Sequence, residues 1–309
     1  MDKDMLFSGT IAGGLCWNAL TLKRMEEPLA LENFGYRVYS QNDEDGIIQE
    51  IFRRIGMQAR EFIEFGVDSG LECNSHYLLH RGWHGLWIEG DPGLYRQIGH
   101  KFRPVIKDGR LKVIHAFATR ENIEHLIAEN RNAREADGEP DFLSIDIDGN
   151  DWYVWEAIAS IRPRVVCIEY NGKFPPDYSW KQAYDAKHIW DKTDWQGASL
   201  KAMELLGREK GYVLVGTNLT GVNAFFVREE LYSTDRFLDC NTAEALYNPY
   251  RRNLKFAEPG HPSRYCLVRQ EENKGVLNYF DSAEEYRRSR RKDRINRFIK
   301  AIKKRMTSR

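Results

Sequence analysis

The sequence has few cysteines, and none of them are spaced as a metal site or a disulfide framework would require. Five occur among 309 residues, widely separated, and no two form a C-x-x-C pair. An odd, scattered set of this kind predicts reduced thiols in a cytoplasmic protein. It argues against a small disulfide-rich domain and against a zinc knuckle.

Long hydrophobic runs are absent as well. No segment approaches the roughly 20 consecutive apolar residues that a membrane-spanning helix needs. The first residues also lack a basic stretch followed by an unbroken apolar run, which is the pattern of a secretion signal. We therefore expect a soluble protein that is neither secreted nor integral to a membrane. Its composition, 42% hydrophobic and 30% charged, is that of a globular chain.

The chain has no overall excess of charge, but its charges are unevenly distributed. The formal net charge is zero, yet residues 287–309 hold twelve Lys and Arg against a single acid, Asp293. The remaining chain holds 34 basic and 45 acidic residues. An acidic body argues against a nucleic-acid-binding face on the main domain.

What the sequence does contain is a regular alternation of short apolar strands with helical patterns. Five strand–helix units in a row predict an α/β fold, with a parallel sheet covered by helices on both faces. The strand candidates are Phe62–Phe65, Leu86–Ile88, Lys112–Phe117, Phe142–Ile147 and Val165–Glu169. The helix candidates are Asp43–Ile55, Asn74–Arg81, Gly93–Lys101, Glu121–Arg131, Trp152–Ile161 and Ser199–Lys210.

The end of this region follows a different pattern. Two further strands, Gly211–Gly216 and Ala224–Val227, are joined by a short turn and must therefore pair antiparallel. We divide the chain into an N-terminal helical cap over 1–60, a Rossmann-like domain over 61–230 with an insert at 172–196, a surface extension over 231–281 and a basic amphipathic helix over 282–309. The insert is rich in Pro, Tyr and Trp, and so long a connection is typical of a functional lid.

The segment EFIEFGVDSG has the pattern of a ligand-binding turn. A strand ends near Glu64, and Gly66 and Gly70 flank a tight bend that a ligand can approach closely. The spacing is not the G-x-G-x-x-G of dinucleotide-binding proteins. The acidic residues beside the glycines, Glu64 and Asp68, suit a zwitterionic amino-acid group better than a diphosphate. A structural turn is the alternative interpretation.

Glu89 ends the next strand, twenty-five residues after Glu64. An acid at that position can accept both ribose hydroxyls of an adenosine ligand, although it could equally be a solvated loop carboxylate. The third strand would bring His115–Ala118 alongside the adenine, with His115 as a packed strand-end residue. Together these signals predict a cofactor that contains adenosine.

Acidic side chains also follow two later strands. Asp146 and Asp148 lie at the end of the fourth strand, and Glu169 and Asn171 end the fifth. If the fourth strand persists, alternation puts Asp146 and Asp148 on the same side. Ligands gather at the carboxyl ends of strands in open parallel sheets, and an all-oxygen set of this kind suits Mg²⁺. For Asp148, Asn150 and Asp151, a helix N-cap is an equally common role.

These segments, in order, resemble the FkbM-type methyltransferases. The matching phrases are SQNDEDGII, FIEFGVDSGLECN, GWHGLWIEGDP, DFLSIDIDGND, RPRVVCIEYN and GYVLVGTNLTGVNAFFV. They extend from about Val38 to Leu231. The resemblance implies a Rossmann-like class I methyltransferase fold with a seven-stranded, mostly parallel sheet and a reversed terminal hairpin strand. It also implies use of S-adenosylmethionine, commonly on hydroxyls of sugars or natural products.

Similarity to metal-dependent O-methyltransferases implies that Asp146, Glu169 and Asn171 are metal ligands. Asp146 is also predicted to bind the cofactor and to take part in catalysis. Those enzymes usually have Asp where this chain has Glu169. Ser40 and Gln41 precede the first amphipathic helix. They are placed either over the amino-acid end of the cofactor or, for Ser40, at the helix N-cap.

The insert supplies two candidate general bases, His188 and Lys173. Solvated loop positions are the alternative for both. We accordingly predict an S-adenosylmethionine-dependent O-methyltransferase, Mg²⁺-assisted, acting on a sugar, a glycan or a glycosylated natural product. A non-catalytic glycan-binding or membrane-recruited scaffold and an NAD-dependent oxidoreductase are the alternatives.

The basic tail carries apolar residues at helical spacing. They are Ile295, Phe298, Ile299, Ile302 and Met306. Two interpretations stay open: contact with an anionic membrane surface, or packing on the body of the protein or on a second copy in a homo-oligomer.

Overall fold

The computed structural model describes residues 25–131, 138–190, 194, 196–251, 269–270 and 277–278. Its chain divides into two compact units, Met1–Phe256 and Ala257–Arg309. In the second unit, two short strands are described, Arg269–Gln270 and Leu277–Asn278, and they pair antiparallel. The predicted basic helix over 282–309 lies outside the described residues, and the predicted domain boundaries stay predictions.

The first unit alternates strands and helices as the sequence predicts. Its strands are β1 (Glu61–Phe65), β2 (His84–Glu89), β3 (Leu111–His115), β4 (Phe142–Ile145), β5 (Val165–Glu169), β6 (Tyr212–Thr217) and β7 (Asn223–Arg228). Its helices are α1 (Glu44–Ile55), α2 (His76–His80), α3 (Pro92–Lys101), α4 (Arg103–Lys107), α5 (Ile123–Asn130), α6 (Asp151–Ala157), α7 (Leu200–Glu209) and α8 (Ala243–Leu246). Short 3₁₀ helices span Leu31–Phe34 and Glu229–Leu231.

The seven strands form one sheet in the order β3-β2-β1-β4-β5-β7-β6. Strands β1 to β5 pair parallel, whereas β7 inserts antiparallel between β5 and β6. This is the topology of a Rossmann-like class I methyltransferase with a reversed strand in its terminal hairpin. The predicted fold class is therefore confirmed.

Helices cover both faces of the sheet because its central strands β4 and β5 are largely apolar and buried on both sides. One core packs the sheet against α5, α6, α7 and α8, and it includes Trp155 and Phe226. The other packs it against α1, α2 and α3, and it includes Phe52 and Trp87. Burial on both faces is the reason that these strands are continuously apolar rather than alternating.

Two strands end earlier than expected. The third strand ends at His115 rather than Phe117, and the fourth ends at Ile145 rather than Ile147. In both cases the polypeptide turns away at the carboxyl edge of the sheet to form the wall of a cavity. No helix in the described part of the chain is both long enough and apolar enough to cross a bilayer.

Candidate active site at the carboxyl ends of the strands

A cavity of about 690 Å³ opens where the parallel strands end. The loops that follow β1, β2, β3 and β4 form most of its wall, and the insert closes one side. Its lining includes residues 66–68, 89–92, 116–118 and 146–148, together with Gln41, Glu169 and residues 188–190 of the insert. This is the edge at which ligands bind in open α/β sheets.

Gly66 brings three of these loops together. Its φ is +71°, and a Cβ built on it would lie 1.6 Å from the carbonyl oxygen of Asp146. Its N–H donates to the carbonyl of Ile88 at 3.1 Å. No side chain fits between these loops, so glycine is required at the bend.

Glu89 stands in the wall between the loops after β1 and β2. Its side chain is buried against the protein, and one carboxylate oxygen accepts the N–H of Asp91 at 2.8 Å. Burial raises the pKa of Glu89, and the N–H donors of Asp91 and Asp68 oppose that rise. Glu89 thus lines the cavity, and its role as the ribose-binding acid stays a prediction.

Four other predicted cofactor residues share this cavity. Asp68 follows the β1 turn, Ala118 follows β3, Asp146 follows β4, and Gln41 precedes α1. His115, by contrast, stacks on Tyr95 with ring centroids 5.5 Å apart, and its Nε2 lies 3.0 Å from the carbonyl of Gly90. His115 is nevertheless exposed, so it is not packed inside the protein as predicted.

Glu64 is not in the cavity wall, so its predicted cofactor role requires correction. The side chain is 2% exposed, and its carboxylate accepts the N–H groups of Asn74 at 2.7 Å and Ser75 at 2.9 Å. The hydroxyl of Ser75 donates to the same carboxylate. Glu64 therefore stabilises the loop between β1 and α2. The sequence pattern around Glu64 does not indicate these hydrogen-bond donors.

Ser40 and Gly70 also have structural roles rather than places in the lining. The Oγ of Ser40 accepts the N–H of Asp45 in the first turn of α1 at 3.2 Å, although the N-cap residue of that helix is Asp43. A Cβ on Gly70 would lie 2.7 Å from the Trp87 ring and 2.8 Å from the Phe102 ring. Gly70 faces the core beneath the turn, whereas Gly66 faces the cavity.

Three carboxylates meet at the mouth of the cavity. Asp146, Asp148 and Glu169 each offer an oxygen, and these oxygens lie within 4.8 Å of one another. Asp146 and Asp148 come together although β4 ends at Ile145, so strand alternation is not the reason. Asp148 has a φ of +56°, and the turn itself directs its side chain back toward Asp146.

Asp151 fixes that turn. Its buried carboxylate accepts the N–H of Ile147 and the N–H of Gly149, both at 2.8 Å. Asp151 begins α6, so one side chain both starts the helix and holds the loop that carries Asp148. The helix-start role that the sequence left open for Asp151 agrees with these contacts.

The electrostatics of the cluster favour a bound cation. Desolvation inside the cavity, and then the charges of Asp151 and Asp148, raise the pKa of Asp146 well above its ordinary value. Desolvation and the charge of Asp146 do the same for Glu169. Carboxylates so arranged need protons or a cation to offset their repulsion. Three oxygen ligands with open positions fit Mg²⁺ or a similar hard cation.

Asn171 does not belong to this cluster, which corrects the predicted ligand set. Its amide nitrogen donates to the carbonyls of Asp194 at 2.8 Å and Gln196 at 3.0 Å. Its amide oxygen accepts the N–H of Lys173 at 3.2 Å. The side chain thus folds the insert, and Asp148 takes the third position among the acids.

Lys173 is likewise directed away from the cavity. Its ammonium group pairs with Asp194 and lies 5.3 Å from the centre of the Tyr250 ring. Lys173 is absent from the cavity lining. Its ammonium group is engaged by Asp194 outside the cavity, so the structure does not support Lys173 as the base.

His188 reaches the cavity through contacts between the insert and the loop after β4. The amide of Asn150 donates to the carbonyl of Asp185 at 2.8 Å. A Cβ on Gly149 would lie 2.5 Å from Cδ2 of His188, so glycine makes room for the imidazole. The buried Nε2 of His188 has no hydrogen-bond partner among the described residues. The charge of His188 lowers the pKa of Asp148 against the larger effect of burial.

The sequence matches no protein-family model and no curated protein. Solved structures show remote likeness. An O-methyltransferase from Bacillus cereus in complex with S-adenosylhomocysteine is 16% identical, with 68% of this chain and 88% of that chain covered and a TM-score of 0.37. CalS10, an amino pentose methyltransferase from Micromonospora echinaspora, is 14% identical over 61% of this chain and 92% of that chain, with a TM-score of 0.39. These likenesses are too remote to assign an activity, and the FkbM resemblance stays a prediction.

Proposed function

We propose that this protein is an S-adenosylmethionine-dependent methyltransferase that acts on a hydroxyl group with the help of a divalent cation. The observation that carries the proposal is the shared cavity. One wall carries the glycine bend of Gly66 and the acid Glu89, and the mouth carries three clustered carboxylates. When bound, S-adenosylmethionine supplies an activated methyl group, and the cation supplies a Lewis acid that lowers the pKa of a hydroxyl.

The residues of the chain divide into two groups within the cavity. Gln41, Asp68, Glu89 and Ala118 surround the space for the adenosyl and amino-acid groups. Asp146, Asp148 and Glu169 would hold the cation, since their carboxylate oxygens lie within 4.8 Å of one another. Because both groups open into one space, the acceptor oxygen is held close to the methyl carbon, and such positioning supplies much of the rate enhancement.

His188 takes the role of proton acceptor. Its imidazole lines the cavity on the side of Asp148. Its backbone is fixed by a hydrogen bond from its N–H to the carbonyl of Asp185 at 2.9 Å. A neutral imidazole in this position can accept the hydroxyl proton as the new bond forms.

Two exposed aromatic side chains support the proposed class of acceptor. Phe117 is 47% exposed and Trp190 is 41% exposed, and both line the cavity. Exposed aromatic faces beside an acidic, cation-binding centre suit a ring that carries several hydroxyls. We therefore include a sugar, a glycan or a glycosylated natural product as the acceptor.

The test is a methyl-transfer screen with labelled S-adenosylmethionine and the full chain. Nucleotide sugars, free glycans and lipid-linked oligosaccharides serve as acceptors, each assayed with a chelator and again after Mg²⁺ is restored. We expect label in a hydroxyl-bearing product only when Mg²⁺ is present. Binding of NAD⁺ instead of S-adenosylmethionine would contradict the proposal. Methyl transfer at the same rate with and without the chelator would contradict the role of the metal.

A further inference from the structure

A second cavity, of about 370 Å³, lies between α1 and α2. It shares no lining residue with the active-site cavity. Its volume falls within the range of small-molecule sites, roughly 300–1,000 Å³. The proposed methyltransferase function gives this cavity no role.

The inner end of this cavity carries a buried carboxylate with one unsatisfied oxygen. Asp45 is 2% exposed, and its Oδ2 accepts the N–H groups of Val38 at 2.7 Å, Tyr39 at 2.6 Å and Ser40 at 2.9 Å. Its Oδ1 is buried and has no hydrogen-bond partner in the described part of the chain. A buried oxygen without a hydrogen-bond partner destabilises the protein, and a ligand that hydrogen-bonds to it would offset that effect.

The state of Asp45 favours a hydroxyl as its partner. Burial raises the pKa of Asp45, and the three N–H donors on Oδ2 oppose that rise. A hydroxyl can donate to the carboxylate and can also accept from the protonated acid. An ammonium group would satisfy only the ionised form.

Part of the cavity wall is apolar. The rings of Phe52 and Trp83 meet edge to face with centroids 4.9 Å apart, and both side chains are 3% exposed. Ile48, Met57 and Leu78 complete the apolar part of the lining, beside the polar side chains of Gln49, Asn74, Tyr77 and His80. Such walls suit an aromatic ring.

The mouth of the cavity is positively charged. Arg60 and Arg81 line it, and both are exposed. Neither guanidinium forms an ion pair with a residue that the structure describes. Two free guanidinium groups attract a carboxylate and repel an ammonium ion.

We propose that this cavity is a second ligand site, specific for a small hydroxylated aromatic carboxylate. The hydroxyl of the ligand meets Asp45, its ring lies against Phe52 and Trp83, and its carboxylate lies between Arg60 and Arg81. Binding at this site does not depend on the proposed methyl transfer.

The test uses 4-hydroxycinnamate as the probe and calorimetry of the full chain in the presence of a chelator. We expect saturable binding at a single site. Cinnamate, which lacks the hydroxyl, and methyl 4-hydroxycinnamate, which lacks the charge, should each bind at least about tenfold more weakly. The two analogues test Asp45 and the arginines without changing the protein.

Variants then locate the probe. Replacing both Arg60→Gln and Arg81→Gln should weaken binding by about tenfold or more, whereas Arg103→Gln, an exposed arginine of α4 outside both cavities, should leave it unchanged. Absence of saturable binding at millimolar probe overturns the proposal, as does equal binding of cinnamate or of the double variant. Displacement of the probe by S-adenosylhomocysteine would place it in the active-site cavity and also overturn the proposal. Failure of S-adenosylhomocysteine to bind, with probe binding intact, would instead count against the proposed function.

Discussion

Glu64 and Asp146 occupy comparable positions at the carboxyl ends of the neighbouring parallel strands β1 and β4, yet their surroundings are opposite. The carboxylate of Glu64 accepts two backbone N–H groups and a hydroxyl, and it is sealed inside the protein. Asp146 faces the cavity, close to two other acids. The donors around each carboxylate, rather than its place on a strand, decide whether it serves structure or binding.

Asp151 also shows that the surrounding hydrogen-bond donors decide the role of a carboxylate. It lies close to Asp146 and is equally acidic, but the N–H groups of Ile147 and Gly149 satisfy it. Burial still raises its pKa to about 6. A carboxylate that the fold satisfies stabilises the fold, and one that the fold leaves open is available to a ligand.

The largest effect is expected for Asp146→Asn, which tests whether Asp146 serves binding rather than structure. We expect turnover to fall by about a hundredfold to a thousandfold because a cation ligand is lost. The melting temperature should stay the same or rise, since desolvation and neighbouring charges disfavour the ionised side chain. Rates of methyl transfer and thermal unfolding check both parts. The control is Glu129→Gln, a 61% exposed glutamate on α5. A large loss of stability with Asp146→Asn would mean that Asp146 is structural.

Glu64→Gln tests the structural role of the Glu64 carboxylate. An amide offers its NH₂ group to donors that need an acceptor, so the free energy of unfolding should fall by about 2–3 kcal/mol. Chemical denaturation measures this directly. Cofactor affinity should change little in the folded fraction, because Glu64 is outside the cavity lining. An unchanged unfolding midpoint would show that the three donors are satisfied elsewhere.

Asp43 is a further buried carboxylate, and its contribution to the stability of the protein depends on pH. Burial, followed by the charge of Glu44, raises its pKa from 3.8 to about 7. Between these two values the folded state binds more protons than the unfolded state, so the contribution of Asp43 to stability is full below pH 3.8 and is lost as pH rises through about 7.

The variant Asp43→Asn should flatten this dependence. At pH values above 7 we expect it to gain on the order of 1–2 kcal/mol of unfolding free energy, with little change near pH 4. Thermal unfolding across the pH range, beside the unaltered protein, provides the measurement. A parallel loss of stability at every pH would contradict the assignment and would indicate that its bond from the Leu219 N–H dominates.

The order of the strands and helices could be predicted from the sequence because the spacing of apolar residues differs between strands and helices. Strand β5 begins and ends at the predicted residues, Val165 and Glu169. The helix α4, Arg103–Lys107, was not predicted, since a five-residue helix that begins beside Pro104 shows no periodic pattern. The early end of β4 was missed because the turn is held by Asp151, four or more residues further along.

The site was predicted less completely, because it depends on where side chains find partners. Asn171 and Lys173 follow β5 closely, yet both are bonded within the insert. Their partners are separated by more than twenty residues in sequence, and no local pattern indicates them. Gly149 could have served as a signal, since a glycine in the turn beside the acids leaves space for the ring of His188.

The central claim is that the large cavity binds an adenosyl cofactor, and calorimetric titration with S-adenosylhomocysteine tests it most directly. We expect saturable binding at one site, weakened about tenfold or more by Glu89→Gln and unaffected by Glu129→Gln. No saturable binding by the unaltered protein, or equal affinity in the Glu89→Gln variant, would contradict the claim.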